Sequence, residues 1–244
     1  MPDPILSPNR LEVWHASCAD IPDDLFDHAK QHILSGEERE RMHRFRQVAD
    51  QQLYLTARLL LRSMLAAFSD VPAAEWRFRF NEHGKPETGE GFPQIHFNLS
   101  HSGGLALCAM HAGREVGIDV EPLGRRIGLG TAASVLSKDE WEVYSQIGEE
   151  NKPAAFLRYW VLKEAYLKAT GKGLSLPLSD FSFHFDPNDT PRLTSANADT
   201  ADDDWHFFEF RPRPTFAAAA AIRKVGNQPV ELRVKGFTAS QRGF

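Results

Sequence analysis

The sequence predicts an α+β protein in which helices and mainly antiparallel strands are segregated within each half of the chain. Three observations support this class. Apolar residues recur at helical spacing in two long segments, residues 51–68 and 152–170. Apolar and polar residues alternate instead in short segments such as residues 75–80, which is typical of strands with one buried face. Glycine and proline mark turns, as in NEHGKPETGEGFP at 81–93.

The first half begins with a predicted strand at residues 11–16 and a predicted helix with an acidic start at 21–33. Another helix is predicted from Ser35, because Ser35 and Glu38 have the spacing of a capping box, in which each side chain binds the other residue's backbone N–H. Its arginines are compatible with a solvated helix or with a local anion site. After the long apolar helix, strands are predicted at 75–80, 95–99 and 105–110.

The second half begins with a predicted strand, VGIDVEP at 116–122, and a loop rich in glycine and arginine. Helices are predicted near residues 137–147 and at 152–170. Pro153 in the first turn and Gly171 after the last turn are typical of helix ends. Further strands are predicted at 180–185, 204–210 and 216–223.

The change of pattern near residue 115 predicts two halves of similar build, residues 1–115 and 116–244, although no clear sequence repeat relates them. In the second half, the acidic stretch of small residues at 187–204 is predicted to be a loop. A solvated tip is favoured there over a metal site at Asp202–Asp204.

Composition limits the functions open to this chain. Its 244 residues are 42% hydrophobic and 25% charged, which is typical of a soluble globular protein. No apolar run approaches the roughly 18 residues of a membrane span, and the first residues lack the pattern of a signal peptide. We therefore expect a cytoplasmic protein with no membrane contact. Cys18 and Cys108 agree with a reducing compartment, because they form no disulfide framework. A net charge of −5 argues against nucleic-acid binding.

The strand at 116–122 places two carboxylates on one face. Because side chains alternate along a strand, Asp119 and Glu121 point one way and the valine and isoleucine residues point the other. The two acidic residues would lie about 6 to 7 Å apart, close enough for repulsion to raise the pKa of at least one unless a cation intervenes. Two surface carboxylates on an edge strand are the simpler alternative.

The helix at 152–170 carries a third carboxylate. Glu164 and Lys168 are one turn apart and share a face with Phe156 and Trp160. An internal salt bridge between Glu164 and Lys168 explains the pair if this helix is considered alone.

Considered together, the three carboxylates predict a metal site, because burying them unpaired is costly. The expected ligands are Asp119, Glu121 and Glu164. Oxygen ligands with no nearby cysteine favour Mg²⁺, which leaves positions open for water and substrate phosphates. The substrate is then expected to be a phosphate ester or anhydride, and Lys168 would neutralise charge on the transferring phosphoryl group.

The segment FNLSHSGG at 97–104 ends a predicted strand with hydroxyl groups around His101 and with paired glycines. It is compatible with a phosphate cradle, in which Ser100 or His101 binds a phosphate oxygen, and with a plain loop. A Ser–His hydrolase is disfavoured, because adjacent strand residues point apart and the sequence has no GxSxG motif. Lys85 in the turn GKP could contact another phosphate, or could be an ordinary exposed lysine.

The motifs GKP, NLSHS, GIDVE and WVLKEAYLK, in this order and spacing, resemble those of the 4′-phosphopantetheinyl transferases of the longer, surfactin-synthetase-activating type. The resemblance extends from about Ser35 to about Leu178. It implies a monomer of two pseudo-twofold-related α+β subdomains, each a small, mainly antiparallel sheet with helices. Coenzyme A would bind in the cleft between them, with Mg²⁺ on its pyrophosphate.

The implied reaction is Mg²⁺-dependent transfer of 4′-phosphopantetheine from coenzyme A to a serine of an apo acyl or peptidyl carrier protein, with release of 3′,5′-ADP. Such carriers serve fatty acid, polyketide or nonribosomal peptide biosynthesis. By position, the resemblance implies that Glu164 and Lys168 are catalytic and that the three carboxylates bind the metal. The residues implied to bind coenzyme A are Arg41, Gly84, Lys85, Pro86, Ser100, His101, Asp119 and Lys168.

Two positions depart from the family pattern. Glu38 stands where some relatives have a basic residue for the nucleotide, and Arg41 matches better. Val161 stands where relatives often have a small hydroxyl residue or cysteine, which we interpret as a packing change.

Glu164, directly or through a metal-bound water, is the residue expected to take the proton of the attacking serine. The nearest alternative function is a Mg²⁺-dependent hydrolase of coenzyme A or nucleotide pyrophosphates, with water as the acceptor. A non-catalytic module that binds carrier proteins or coenzyme A is a further alternative. It is disfavoured because all three carboxylates are present.

Overall fold

A computed structural model of the 244-residue chain describes residues 6–125, 128–195 and 204–238. The α-helices in this part of the chain are α1 (Asp23–His28), α2 (Gly36–His43), α3 (Val48–Ala67), α4 (Leu129–Val135), α5 (Lys138–Ser145) and α6 (Lys152–Thr170). The strands are β1 (Arg10–Ser17), β2 (Phe78–Phe80), β3 (Pro86–Thr88), β4 (His96–Ser102), β5 (Leu105–His111), β6 (Val116–Pro122), β7 (Phe181–Phe185), β8 (Pro191–Ser195), β9 (Trp205–Phe210), β10 (Phe216–Arg223) and β11 (Glu231–Gly236).

The longer strands form two main sheets. The first has the order β11-β1-β5-β4, with β1 parallel to β11 and antiparallel to β5. The second has the order β6-β10-β9 and is antiparallel. The short pairs β2-β3 and β7-β8 are also antiparallel. Helices beside mainly antiparallel sheets confirm the predicted α+β class.

The main elements stack in four layers, because side chains alternate between the two faces of each strand. In β5, Cys108 packs on the side of α3, and Leu107 faces the second sheet. In β10, Ala219 packs on the side of α6, and Ala220 faces the first sheet. The order is therefore α3, first sheet, second sheet, α6, with a continuous apolar core between the sheets.

Gly117 allows α6 to lie against β6 at backbone distance. A Cβ atom at Gly117 would lie 2.0 Å from the carbonyl oxygen of Ala165 and 2.4 Å from the amide nitrogen of Ala169. Because side chains alternate along β6, Asp119 and Glu121 lie on the face that Gly117 presents to α6, as the sequence predicts.

Two predicted helix ends are confirmed. Ser35 Oγ accepts a hydrogen bond from the Glu38 N–H at 3.2 Å, and Glu38 Oε2 accepts one from the Ser35 N–H at 3.0 Å, which is the predicted capping box. The helix α6 has Pro153 in its first turn and ends at Gly171, whose φ of +67° is left-handed. Glycine adopts this conformation at low cost.

The prediction of a loop at 187–204 is wrong at Pro191–Ser195, because these residues form β8. Leu193 is buried opposite Phe183 of β7. The strand thus depends on pairing with β7, which the local pattern of small polar residues did not indicate. Asp202 and Asp203 lie outside the described residues, and Asp204 forms an ion pair with Arg223 at 3.6 Å.

Other elements are shorter than predicted or were missed. The strand predicted at 75–80 covers only Phe78–Phe80, and the helix predicted at 21–33 becomes π-helical at Ala29–Ile33. The sequence did not predict β3, α4 or β11. Because β11 pairs with β1, a strand from the second half completes the first sheet. The division at residue 115 stays a prediction. Among the described helices, none has the length and apolarity needed to cross a membrane.

We expect Gly117→Ala to lower the free energy of unfolding by on the order of 3 kcal/mol, because the new methyl group would overlap two backbone atoms of α6 that cannot move independently. Urea denaturation measures this change. Gly113→Ala is the control, because a Cβ at that position would have no atom within 4 Å apart from those of Gly113 and its two chain neighbours. Equal stability of the two variants would contradict the close contact.

Candidate functional site at the seam of the two sheets

The candidate site lies where the edge strands β4 and β6 adjoin. Asn98 Oδ1 accepts a hydrogen bond from the Ile118 N–H at 2.9 Å, so a side chain of one sheet satisfies the backbone of the other. Farther along the seam, Ser100 Oγ donates to Asp119 Oδ1 at 2.8 Å and Ser102 Oγ donates to Glu121. Alternate residues of β4 therefore match the acidic face of β6.

Each carboxylate of β6 has its own cation. Lys168 Nζ lies 2.6 Å from Asp119 Oδ1 and 3.1 Å from Ser100 Oγ. Arg125 forms an ion pair with Glu121, and its guanidinium carbon lies 4.9 Å from the centre of the Trp160 ring. Because Asp119 and Glu121 are buried, both need such partners. The repulsion predicted between them is thus offset by cations of the protein itself.

Glu164 differs from the other two acids. Among the described residues no hydrogen bond or ion pair is formed by its carboxylate, which faces the same space as Lys168 and Asp119. Burial raises the pKa of Glu164, and Asp119 raises it further, whereas Lys168 and Arg125 oppose the rise. An acid with a raised pKa and no fixed partner is a candidate for accepting a proton.

Two cavities share Glu164 and Lys168 in their walls. One of about 300 Å³ also contains Ser100, His101 and the two acidic residues of β6. The other, of about 270 Å³, is bordered by the turn Gly84–Pro86. The four motifs separated in the sequence therefore meet around one side of α6.

Lys85 reaches the second cavity, but its ammonium is already bound. Lys85 Nζ donates to the carbonyl oxygens of Val116 at 3.1 Å and Ala169 at 3.0 Å. Burial lowers the pKa of Lys85 to about 8. Gly84 and Pro86 line the cavity beside it.

Arg41 lies in a separate, larger cavity of about 730 Å³ on the first half. Arg58 shares this cavity, and both guanidinium groups approach the Tyr54 ring, at 6.0 and 5.3 Å from its centre. Burial lowers the pKa of His101, and the charges of Lys168, Arg58 and Arg41 lower it further. The positive field of this cavity thus reaches the seam.

Glu38 is not available to a nucleotide. Its carboxylate accepts from Arg62 at 2.8 Å, and its other oxygen lies 3.8 Å from Arg58. Arg62 is almost fully buried and also donates to the carbonyl oxygen of Ala73 at 2.8 Å. The acidic residue that departs from the family pattern therefore orients arginines beside the cavity.

The carboxylates of Asp119, Glu121 and Glu164 are only partly arranged to bind a divalent cation. Within residues 6–125, 128–195 and 204–238, no group of three or more His, Cys, Asp or Glu side chains is arranged as a metal site. Asp119 Oδ2, however, is buried without a hydrogen-bond partner. The Glu164 carboxylate, which lines the same cavity, pairs with no cation in the described part of the chain. Both oxygens of Glu121 are engaged, by Ser102 and Arg125. Asp119 and Glu164 can thus accept a cation directly, and Glu121 can do so once Arg125 moves away.

Comparison with known proteins identifies the family. The 4'-phosphopantetheinyl transferase superfamily matches residues 115–222, and the N-terminal domain of 4'-phosphopantetheinyl transferases matches residues 20–113. The 4'-phosphopantetheinyl transferase HetI of Nostoc sp. is 32% identical over 231 residues, which cover 93% of this chain and 94% of HetI. The chain belongs to the 4′-phosphopantetheinyl transferase family. The resemblance noted in the sequence is thereby confirmed.

Two further proteins resemble this transferase over part of its length. The 4'-phosphopantetheinyl transferase Sfp of Bacillus subtilis is 35% identical over 150 residues, covering 62% of this chain and 66% of Sfp. The crystal structure of Thermotoga maritima holo-[acyl-carrier-protein] synthase overlaps 46% of this chain and 64% of its own, with 24% identity and a TM-score of 0.39.

Sequence reasoning assigned no role to three side chains of this transferase that hold the site together. Asn98 and Ser102 lie two residues on either side of Ser100, so the period of a strand could have placed them on the same face. Arg125 follows Glu121 by four residues, but in a loop where no fixed period applies. Its pairing with Glu121 could not be predicted from spacing alone.

We expect Arg125→Gln to raise the pKa of Glu164 above its value in the unaltered transferase, because the Arg125 charge is one of the two that oppose the rise. A carbon-detected NMR titration of the Glu164 carboxyl group measures the shift. Arg192→Gln is the control, since Arg192 pairs with Asp186 in the β7-β8 hairpin. A Glu164 pKa that stays constant or falls in Arg125→Gln would contradict the electrostatic assignment.

Proposed function

We propose that this chain transfers the 4′-phosphopantetheine group of coenzyme A to a serine hydroxyl of an apo acyl or peptidyl carrier protein and releases 3′,5′-ADP. The observation that carries the proposal is that Glu164 and Lys168 of α6 meet Ser100 and Asp119 at the seam of the two sheets. Membership of the family supports it, because HetI and Sfp are both named 4'-phosphopantetheinyl transferases.

Coenzyme A would bind along the two cavities that share α6. Ser100 and His101 would contact its phosphates, and Gly84 and Pro86 would border its adenosine part. Arg41 would attract the 3′-phosphate, with Arg58 beside it. Arginine suits this role, because its planar group forms paired hydrogen bonds with phosphate oxygens.

We further propose that Mg²⁺ is held by Asp119, Glu121 and Glu164. The unpartnered oxygen Asp119 Oδ2 and the unpaired Glu164 support this assignment. The bound ion would withdraw charge from the pyrophosphate of coenzyme A. Entry of the ion requires Arg125 to leave Glu121, and the Trp160 ring gives its guanidinium a second contact.

Glu164 would act as the base. The serine oxygen forms a bond to the β-phosphorus of coenzyme A, the one that bears the pantetheine group, and its proton passes to Glu164 directly or through water. The bond from this phosphorus to the bridging oxygen of 3′,5′-ADP breaks. Lys168 would stabilise the charge that develops on the phosphate oxygens, because a fixed cation beside the reacting group needs little rearrangement during the reaction.

A cytoplasmic monomer that binds neither nucleic acid nor membrane is part of this proposal, and the composition supports it. The pathway served depends on the carrier. Incubating the protein with coenzyme A, Mg²⁺ and several apo carriers of fatty acid, polyketide and nonribosomal peptide synthesis, followed by mass spectrometry, identifies the carriers that gain phosphopantetheine.

The same assay distinguishes a transferase from a hydrolase. Cleavage of coenzyme A that requires the apo carrier supports transfer, whereas equal cleavage without a carrier supports hydrolysis. Adding EDTA tests the metal separately. Transfer that continues at the same rate in metal-free buffer would remove Mg²⁺ from the proposal and leave the transfer function in place.

Glu164→Gln is expected to keep the fold and lose most turnover, because the amide cannot accept the serine proton. Lys168→Ala is expected to lower kcat by roughly 100- to 1000-fold, as for removal of one preorganised charge stabiliser. The rate of holo-carrier formation by mass spectrometry measures both effects, and circular dichroism checks the fold. Full activity in either folded variant would exclude the assigned role.

Arg41→Gln is expected to raise KM for coenzyme A about tenfold, because a charge-assisted contact to the 3′-phosphate is lost. The same variant should leave KM for 3′-dephospho-coenzyme A unchanged, since that substrate lacks the phosphate. Steady-state kinetics with both substrates test this. Arg46→Gln is the control, because Arg46 is exposed and lies outside the cavity that contains Arg41. An equal rise in KM for both substrates would contradict the assignment.

A further inference from the structure

Lys85 joins three elements beside the smaller of the two cavities that share α6. It belongs to the turn between β2 and β3 in the first half, whereas the carbonyl groups that its ammonium binds lie in the second half. Val116 is the first residue of β6, and Ala169 lies in the last turn of α6. A single side chain thus connects the hairpin, the acidic strand and the catalytic helix.

Both carbonyl groups are close in the chain to the central ion pair. Ala169 directly follows Lys168, and Val116 precedes Asp119 by three residues. The Ala169 carbonyl is one of the last-turn groups that have no acceptor role inside a helix, so an external donor is favourable there. A positive charge at this end also complements the helix dipole.

The turn that carries Lys85 is itself fixed. Asn81 Oδ1 accepts hydrogen bonds from the Lys85 N–H at 2.8 Å and from the His83 N–H at 3.0 Å. Asn81 Nδ2 donates to the Gly171 carbonyl at 3.4 Å, immediately after α6. Gly84 completes the turn with a φ of +82°, which glycine adopts without strain. The hairpin therefore holds the end of α6 at two points.

The contact at Gly117 packs β6 against the last two turns of α6 but supplies no hydrogen bond between these elements. The backbone of β6 touches α6 near Ala165 and Ala169, and Lys85 adds bonds to both elements at that end. Lys168 projects from the same turn towards Asp119 and Ser100. Movement of this turn would displace the Lys168 ammonium directly.

We propose that Lys85 is a positioning residue, which holds the last turn of α6 on β6 so that Lys168 stays against Asp119. This inference rests on the proposed function and assigns Lys85 differently from the family resemblance, which implies contact with the nucleotide. The ammonium is already engaged by two carbonyl groups, and the residue is partly buried. Its bonds lie within the protein, so its loss should alter the rate of the reaction and not the binding of coenzyme A.

The test is Lys85→Met, which keeps most of the side-chain volume and removes the donors. We expect kcat to fall about tenfold or more, since small displacements of catalytic groups are costly, with KM for coenzyme A within about twofold of the original. Hydrogen–deuterium exchange in the ligand-free protein should become faster in the peptide covering residues 165–171. Lys172→Met, an exposed lysine just beyond the same helix, should leave both measurements unchanged.

A raised KM with unchanged kcat, or an unchanged exchange rate at 165–171, would overturn the proposal in favour of a nucleotide contact or a passive lysine. If Lys85→Met does not fold, Lys85→Gln serves instead, because its shorter amide cannot reach both carbonyl groups. The same outcomes apply to it. The exchange measurement needs no turnover. If the unaltered protein lacks transferase activity, the proposed function is refuted, and the exchange rate at 165–171 still tests whether Lys85 holds the end of α6.

Discussion

The ion pair between Lys168 and Asp119 is the interaction on which the candidate site depends. It connects α6 to β6, and Ser100 of β4 binds both partners, so that the helix and both sheets meet at one partly buried contact. Charges in such a place are stable only when paired, and removal of one partner leaves the other uncompensated. The groups assigned to the chemistry are therefore also the groups that hold the seam together.

The three acids of the site differ in their partners, and this difference gives them different chemistry. Asp119 and Glu121 each have a cation and a serine hydroxyl, whereas Glu164 lines the same cavity without a fixed partner among the described residues and with a raised pKa. Catalytic sites often place similar acids in different environments, so that their pKa values differ. Asp119 and Glu121 are thus balanced by cations of the protein, and Glu164 is the acid whose carboxylate is left without a fixed partner among the described residues.

Much of this arrangement could be predicted where a regular period applies. Strand alternation placed Asp119 and Glu121 on one face, and helical spacing placed Glu164 beside Lys168. The partner of Lys168 could not be predicted in this way, because it pairs across elements with Asp119 and not within its helix with Glu164. Arg125 and β8 were missed for the same reason, since a loop contact and a paired strand are decided by tertiary neighbours and leave no periodic signal.

The pairing of β11 with β1 has a consequence for synthesis of the protein. During translation, β1 and β5 can pair as soon as they leave the ribosome, but the outer edge of β1 stays open until β11 at Glu231–Gly236 has emerged. An open edge is a template for wrong partners, and pairing between such distant segments is slow because a long loop must close first. Completion of the first sheet therefore depends on synthesis of β11, and nascent chains interrupted before β11 would be exposed to misassembly.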